Sequence, residues 1–326
     1  MKRRILTSAL VSVCAMALLP ALTMAQQPWP NKPIKIIVPY AAGGQPDVAA
    51  RALAPKLGER LGQPIVVENR PGAAGTAAYN ALLQSQPADG HAFILSDAAM
   101  LSISPLINKA ANYKLGRDLV PVALIGRSAL FLVAHPKTGV NNLQEFVQAV
   151  RKNPGQFTYA SSGIGSNHHL TMEALKSALN LDVRHVPYRG SGQSTPALLS
   201  GQVDFSIAAL PSIASFVQLG QLKLLGANSA TRSVLAPDVP PLADLVPGFD
   251  FAPILVVLGV ASTPQVAIDR LSKEIVEVIK HPDVVNGLKT AAVEPTPGGP
   301  VELTRELNRE VAAMAKAAEA ANLKAE

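Results

Sequence analysis

Apolar residues along the chain fall into short β-branched runs that alternate with stretches of helical spacing. The first run, 34–38, has the composition of a strand buried on both faces. Pro39 ends its ladder, Gly43-Gly44 permit a tight turn, and Pro46 suits a first helical turn, where a missing N–H costs nothing. Val48, Ala49, Ala52, Leu53 and Leu57 then share one helical stripe. The unpaired N–H groups of such a helix start, with the helix dipole behind them, form a seat for an anion.

The alternation continues. A strand over 64–68 leads through the glycine turn 70–76 into a helix near 77–85, and a third strand over 91–96 ends at Asp97. This order predicts parallel strands with right-handed crossovers and a ligand at their carboxyl ends, where 40–47, 70–76 and 96–100 fall. Two strands, 120–125 and 129–134, are separated only by Gly126-Arg127-Ser128, which predicts a crossing into a second domain. There the pattern restarts: helix 142–153 with Asn141 as its cap, strand 157–160, a turn from Ser161 and a helix to Leu179. Strand 183–186, helix 195–200 and strands 203–208 and 222–227 follow. The chain is expected to return near 248–258 and to close with helices 266–279 and 301–321. Domain 1 is therefore 26–126 with 249–326, domain 2 is 127–248, and a ligand cleft lies between them. The fold class is α/β, with mostly parallel sheets flanked by helices.

Residues 1–25 read differently. Lys2-Arg3-Arg4, an apolar run over 5–19 and Thr23-Met24-Ala25 form a secretory signal peptide, cut after Ala25. The run is shorter than the ~20 residues a membrane span needs. Cys14 is the only cysteine, so a processed chain has no disulfide and no thiol chemistry. Loss of three basic residues lowers the formal charge from +6 to +3. A mildly basic surface favours small anions, while the lack of Lys/Arg clusters with interleaved aromatics argues against nucleic acid.

Candidate chemistry centres on a second anion seat. Ser161, Ser162 and Ser166 offer hydroxyls beside Gly163 and Gly165 at a helix start, so two lobes carry matching seats for a carboxylate. Arg189, in a strand-end loop after Tyr188, either pairs with a carboxylate or salt-bridges at the surface. Asp47 either contacts the ligand or caps a turn. His168-His169 point apart on a helix and do not chelate jointly. No G-x-S-x-G elbow, complete dinucleotide fingerprint or phosphate-binding loop occurs, so neither a cofactor nor a metal is expected.

Longer motifs carry a family resemblance. WPNKPI leading into VPYAAGGQPD, then LGERLGQPIVVENRPGAAG, PADGHAF, YASSGIGSNHHL, HVPYRGSG and GQVD resemble the Bug family, the periplasmic receptors of tripartite tricarboxylate transporters. The resemblance implies a two-lobe Venus-flytrap fold of the type II periplasmic binding proteins, closing on one small organic acid. It also implies a monomer that delivers to membrane permease subunits and has no catalytic activity. Carried over, the first loop supplies Tyr40, Ala41, Ala42, Gly43, Gly44, Gln45 and Asp47. It faces the loop Ser161 to Ser166, and the candidate ligand-binding residues of the second lobe are Ser161, Ser162, Gly163, Ser166, His169, Tyr188, Arg189 and Asp204. Departures from the family pattern include Ala42 and Gln45 around the glycine pair, and Asp97 where a small hydroxylated residue is usual. Asp97 either receives an ammonium or hydroxyl of the ligand or caps its turn. A receptor reporting to a sensor kinase and a secreted hydrolase or isomerase are the competing functions.

Overall fold

The computed structural model describes residues 29–324 apart from 73–74, 86–87, 110 and 112, so the expected signal peptide lies outside the described residues. Two sheets organise the chain. The first contains β1 (Ile34–Val38), β2 (Ile65–Asn69), β3 (Ala92–Asp97), β4 (Leu119–Arg127), β10 (Ile254–Val260) and β11 (Glu294–Gly298), ordered β11-β4-β10-β3-β1-β2. The second contains β5 (Leu130–Ala134), β6 (Thr158–Ser161), β7 (Arg184–Pro187), β8 (Phe205–Ala209) and β9 (Lys223–Ala227), ordered β7-β6-β8-β5-β9.

Helices cover both faces of the first sheet, which is why its central strands read as continuous apolar runs. On one face α1 (Gln45–Leu61), α9 (Gln265–Val278) and α10 (Pro282–Thr290) set Leu53, Leu57, Leu271 and Val284 against Ile36, Val38 and Leu95. On the other, α2 (Thr76–Leu83) and α11 (Pro300–Ala320) set Leu82, Leu303 and Leu307 against Ile37, Ile94 and Val256. Each wholly buried Leu of this kind contributes about 1.5–3 kcal/mol of transfer free energy. Around the second sheet α5 (Leu143–Lys152), α6 (Asn167–Leu179) and α7 (Ser191–Leu199) play the same part, with Phe146 packed edge-on to Phe205 at 4.9 Å between ring centres.

Pairing is mixed. β1–β2 and β1–β3 are parallel, as are β6–β7 and β6–β8, whereas β3–β10, β4–β10, β4–β11, β5–β8 and β5–β9 are antiparallel. The cause is the double crossing. β4 leaves the first sheet where β10 enters it, so the two must run in opposite directions, with Arg127 beside Ile254. The crossings lie side by side, Ser128 N–H donating to Pro253 O at 2.9 Å. Asn228 ties them further by accepting from Leu130 N–H at 2.8 Å and donating to Phe251 O at 2.8 Å.

The register sets where the loops fall. Asp97, at the end of β3, lies opposite Leu255 beside the crossing. In the second sheet Leu130, just past the crossing, lies opposite Ala209 at the end of β8, which is parallel to β6. The carboxyl ends of β1, β3 and β6 therefore all open towards the crossings. α6 bridges the two lobes: Leu170 packs with Ile103, Met314 and Ala317.

Several elements differ from expectation. Asn142, not Asn141, caps α5 by accepting from Glu145 N–H. α7 begins at Ser191 rather than at 195, because the turn at Gly190 starts a helix through weak formers. β11, with two prolines, and α10 were not foreseen; β11 sits at the sheet edge, where proline is tolerated.

Candidate ligand-binding site

The first loop leaves β1 at Tyr40 and exposes Ala41, Ala42 and Gly43. Gly44 N–H closes the turn on Ala41 O at 3.2 Å, and Gly43 holds φ +82°, a left-handed conformation that disfavours any Cβ. α1 then starts at Gly44 with no side-chain cap and with Pro46 in its first turn. Asp47 is 2% exposed and points back into the loop. Its carboxylate accepts from Gly43 N–H at 2.8 Å, Arg51 Nε at 3.0 Å and Asn69 Nδ2 at 2.9 Å. Burial alone would push that carboxyl up, but the bonds from Arg51, Gly43 and Asn69 outweigh it and hold the group below its ordinary value. Asn69 also donates to Tyr40 O at 3.0 Å. Asp47 thus shapes the loop through both its oxygens. Gln45 likewise turns elsewhere: Nε2 donates to Ser128 Oγ at 2.7 Å and Ala291 O at 2.8 Å, tying the loop to the crossing.

Behind the loop, Tyr40 Oη donates to Asp97 Oδ2 at 2.8 Å, while Asp97 Oδ1 accepts from Ala99 N–H at 3.1 Å. The turn-capping reading of Asp97 is therefore present in the structure. Burial pushes the Asp97 carboxyl up against both bonds, and burial with the neighbouring Asp97 charge pushes the Tyr40 hydroxyl well up. Ser96 Oγ and Thr76 Oγ1, at the end of β3 and the start of α2, are buried beside the hydroxyls of Tyr40 and Tyr113. Sequence reading missed both, and their place at strand and helix ends was the available signal.

The second loop is supported from beneath. Ser161 is wholly buried, with Oγ 2.7 Å from His185 Nε2 and accepting from Gly163 N–H at 3.1 Å. Ser166 caps α6, accepting from His169 N–H at 3.2 Å, and donates to Gly163 O at 2.7 Å. His169 Nδ1 accepts from Gly165 N–H at 3.0 Å, and its ring stacks on His185 at 4.1 Å. Burial lowers both imidazoles, His185 to about 4, so the stack is neutral. Ser161, Ser166 and His169 accordingly hold the turn through the backbone of Gly163 and Gly165, leaving Ser162 half-buried and Ile164 exposed.

Tyr188 N–H donates to Ser161 O at 3.1 Å and Gly190 N–H to Ser162 O at 3.2 Å, which sets exposed Arg189 beside Ser162. His168 Nδ1 and Asn167 Oδ1, at the start of α6, are buried without partners, and burial lowers His168 to about 4. Asp204 is the outlier. It accepts from Thr158 N–H at 2.7 Å and Thr158 Oγ1 at 2.8 Å and pairs with Lys137 at 3.0 Å. That contact lies at the amino ends of β6 and β8, the edge opposite the glycine loop, because Asp204 precedes its strand. The lobes meet at Gly165: a Cβ there would stand 2.7 Å from Ile107 Cγ2 on the short helix Ser104–Ile107.

Two mixed sheets joined by paired crossings, with glycine loops at the inner edges of both, define a two-lobe binding protein of the periplasmic type. The sequence profile described as "Tripartite tricarboxylate transporter family receptor" matches residues 49–323, and the chain belongs to that family. BugT of Bordetella pertussis is 34% identical over 269 residues, covering 82% of each chain. A Rhodopseudomonas palustris protein solved with adipate superposes with TM-score 0.76 at 27% identity, over 91% of this chain and 100% of that one. MatC of the same organism, solved with bound malate, gives TM-score 0.70 at 26% identity, over 89% and 99%.

Proposed function

We propose that this protein captures a small organic carboxylate in the periplasm and delivers it to the membrane permease subunits of a tripartite transporter. The observation that carries the reading is the uncapped start of α1 behind the exposed turn 41–44, on the edge that opens towards Ser162 and Arg189. The N–H groups of Gln45 and Asp47 with the helix dipole at one lobe, and hydroxyl, backbone and guanidinium donors at the other, suit a carboxylate. The relatives bound to adipate and malate support the same class of ligand. In this reading 26–126 with 249–326 forms one lobe and 127–248 the other. The open lobes bind the anion at the first loop; closure adds the second set of donors, so the ligand favours the closed form. Export follows cleavage after Ala25, and the chain performs no chemistry on its ligand. A thermal-shift screen of residues 26–326 against organic acids tests this, since ligand binding to the native state raises the melting temperature by mass action. A dose-dependent rise with carboxylates is expected. Shifts with neutral or cationic compounds alone refute it.

A further inference from the structure

Asp97 is an odd residue to find at the inner edge of a carboxylate receptor. It forms no ion pair among the described residues, and its two oxygens are held by neutral donors only, Tyr40 Oη and Ala99 N–H. Each carboxylate oxygen can accept more than one hydrogen bond, so Asp97 keeps unused acceptor capacity. The cations nearest the first-lobe loops are already committed, Arg51 to Asp47 and Arg70 to Glu68. A second carboxyl, Glu310, is buried close enough for the two charges to oppose one another. Its neighbour Arg309 is paired with Asp250 and Glu306. Ser96 Oγ is fully buried next to the Tyr40 hydroxyl. The first lobe thus presents an anion seat at the start of α1 and, on the same edge of the sheet, a carboxyl with no cationic partner among the described residues.

We infer that Asp97 recognises a cationic amino group on the ligand, so that this receptor selects amino-substituted carboxylates over di- and tricarboxylates. The inference rests on the proposed carboxylate-receptor reading and adds the class of ligand. Electrostatics supplies the reason. A dicarboxylate would bring its second negative charge against a desolvated carboxylate, which costs free energy unless a cation compensates. An ammonium in the same place converts that repulsion into a charge-assisted hydrogen bond. The bland role, a turn cap, needs only Oδ1 and a neutral acceptor, and explains neither the charge nor the Tyr40 bond.

Isothermal titration of residues 26–326 with matched ligands tests the idea. Alanine, 4-aminobutyrate and 6-aminohexanoate are compared with propionate, butyrate and hexanoate, with lactate, and with succinate and adipate. An amino acid is expected to bind roughly tenfold to a hundredfold more tightly than its unsubstituted partner, the range of one charge-assisted bond. Asp97→Asn should reverse the order between amino carboxylates and dicarboxylates. Asp97→Ser, which can still cap Ala99 N–H, should do the same if the Asn protein folds poorly. Tighter binding of succinate, adipate or lactate than of every amino acid by the unaltered protein overturns the inference while leaving the carboxylate reading intact. An order that survives both substitutions also overturns it. Failure of every carboxylate to bind removes both readings.

Discussion

Glu310 offers the sharpest test of the energetics. It lies on α11, 5% exposed, between the short helix Ala99–Ser102 and the start of β10. Burial pushes its carboxyl up from 4.5 to about 7, against the bonds from Ser102 and Ile254 N–H, and the Asp97 charge pushes the same way. The hydrogen bonds explain why the neutral form fits. Ser102 Oγ is 3.0 Å from Ala98 O and 2.9 Å from Glu310 Oε1, but a hydroxyl has one proton to give. When Glu310 is protonated it donates to Ser102 Oγ, which donates to Ala98 O, while Oε2 accepts from Ile254 N–H at 3.4 Å; every group is then satisfied. When it is ionised, Ser102 must abandon one acceptor. The native state therefore binds a proton that the unfolded chain has released, so stability falls as pH rises from 4.5 to about 7. At about 1.4 kcal/mol for each pH unit between those values, the loss is on the order of 3 kcal/mol by pH 8. Glu310→Gln keeps the neutral network, its amide donating to Ser102. Urea unfolding at pH 5 and pH 8 should find the variant close to the parent at the lower pH and more stable by about 2–3 kcal/mol at the higher one. Parallel pH profiles for the two proteins would refute the argument.

Three further outcomes are expected. Gly165→Ala places a side chain at φ +74° and against Ile107, so ligand affinity should fall and small-angle scattering should report a more open protein; unchanged dimensions and affinity would remove the lobe contact from the mechanism. Asp47→Ala strands the donors of Gly43, Arg51 and Asn69 and should lower stability by about 3 kcal/mol at neutral pH. Because the native Asp47 carboxyl sits below 3.8, its contribution is present above that pH and fades as pH falls through the lowered value, so Asp47→Asn should flatten the acid limb of the unfolding profile. Arg189→Ala should weaken carboxylate binding about tenfold to a hundredfold in titration calorimetry, with Arg189→Lys between; affinity within twofold of the parent would return Arg189 to a surface role.

Local signals determined much of this protein. The β-branched run at 34–38, the apolar run at 129–134, the glycine turn before Pro46 and the stripe through Leu53 and Leu57 each depend on neighbours in the chain, and those elements stand within a residue or so of where the spacing places them. The long motifs likewise led to the right family. Side-chain direction was a different matter. Asp47, Gln45, Ser161 and His169 sit in or beside the two glycine loops, yet their polar atoms turn to the loop backbone, to Ser128 and to His185. Asp204 belongs to a motif but stands at the far end of its strand. Which way a polar group points depends on partners such as Asn69, Ser128 and His185, remote in sequence and brought near only when the sheets assemble. The mixed pairing has the same origin: only the double passage of the chain between lobes reverses β10 against β4. The Asp97–Tyr40 pair and the buried Glu310 were also decided there, because desolvation is a property of the packed interior and no local pattern encodes it.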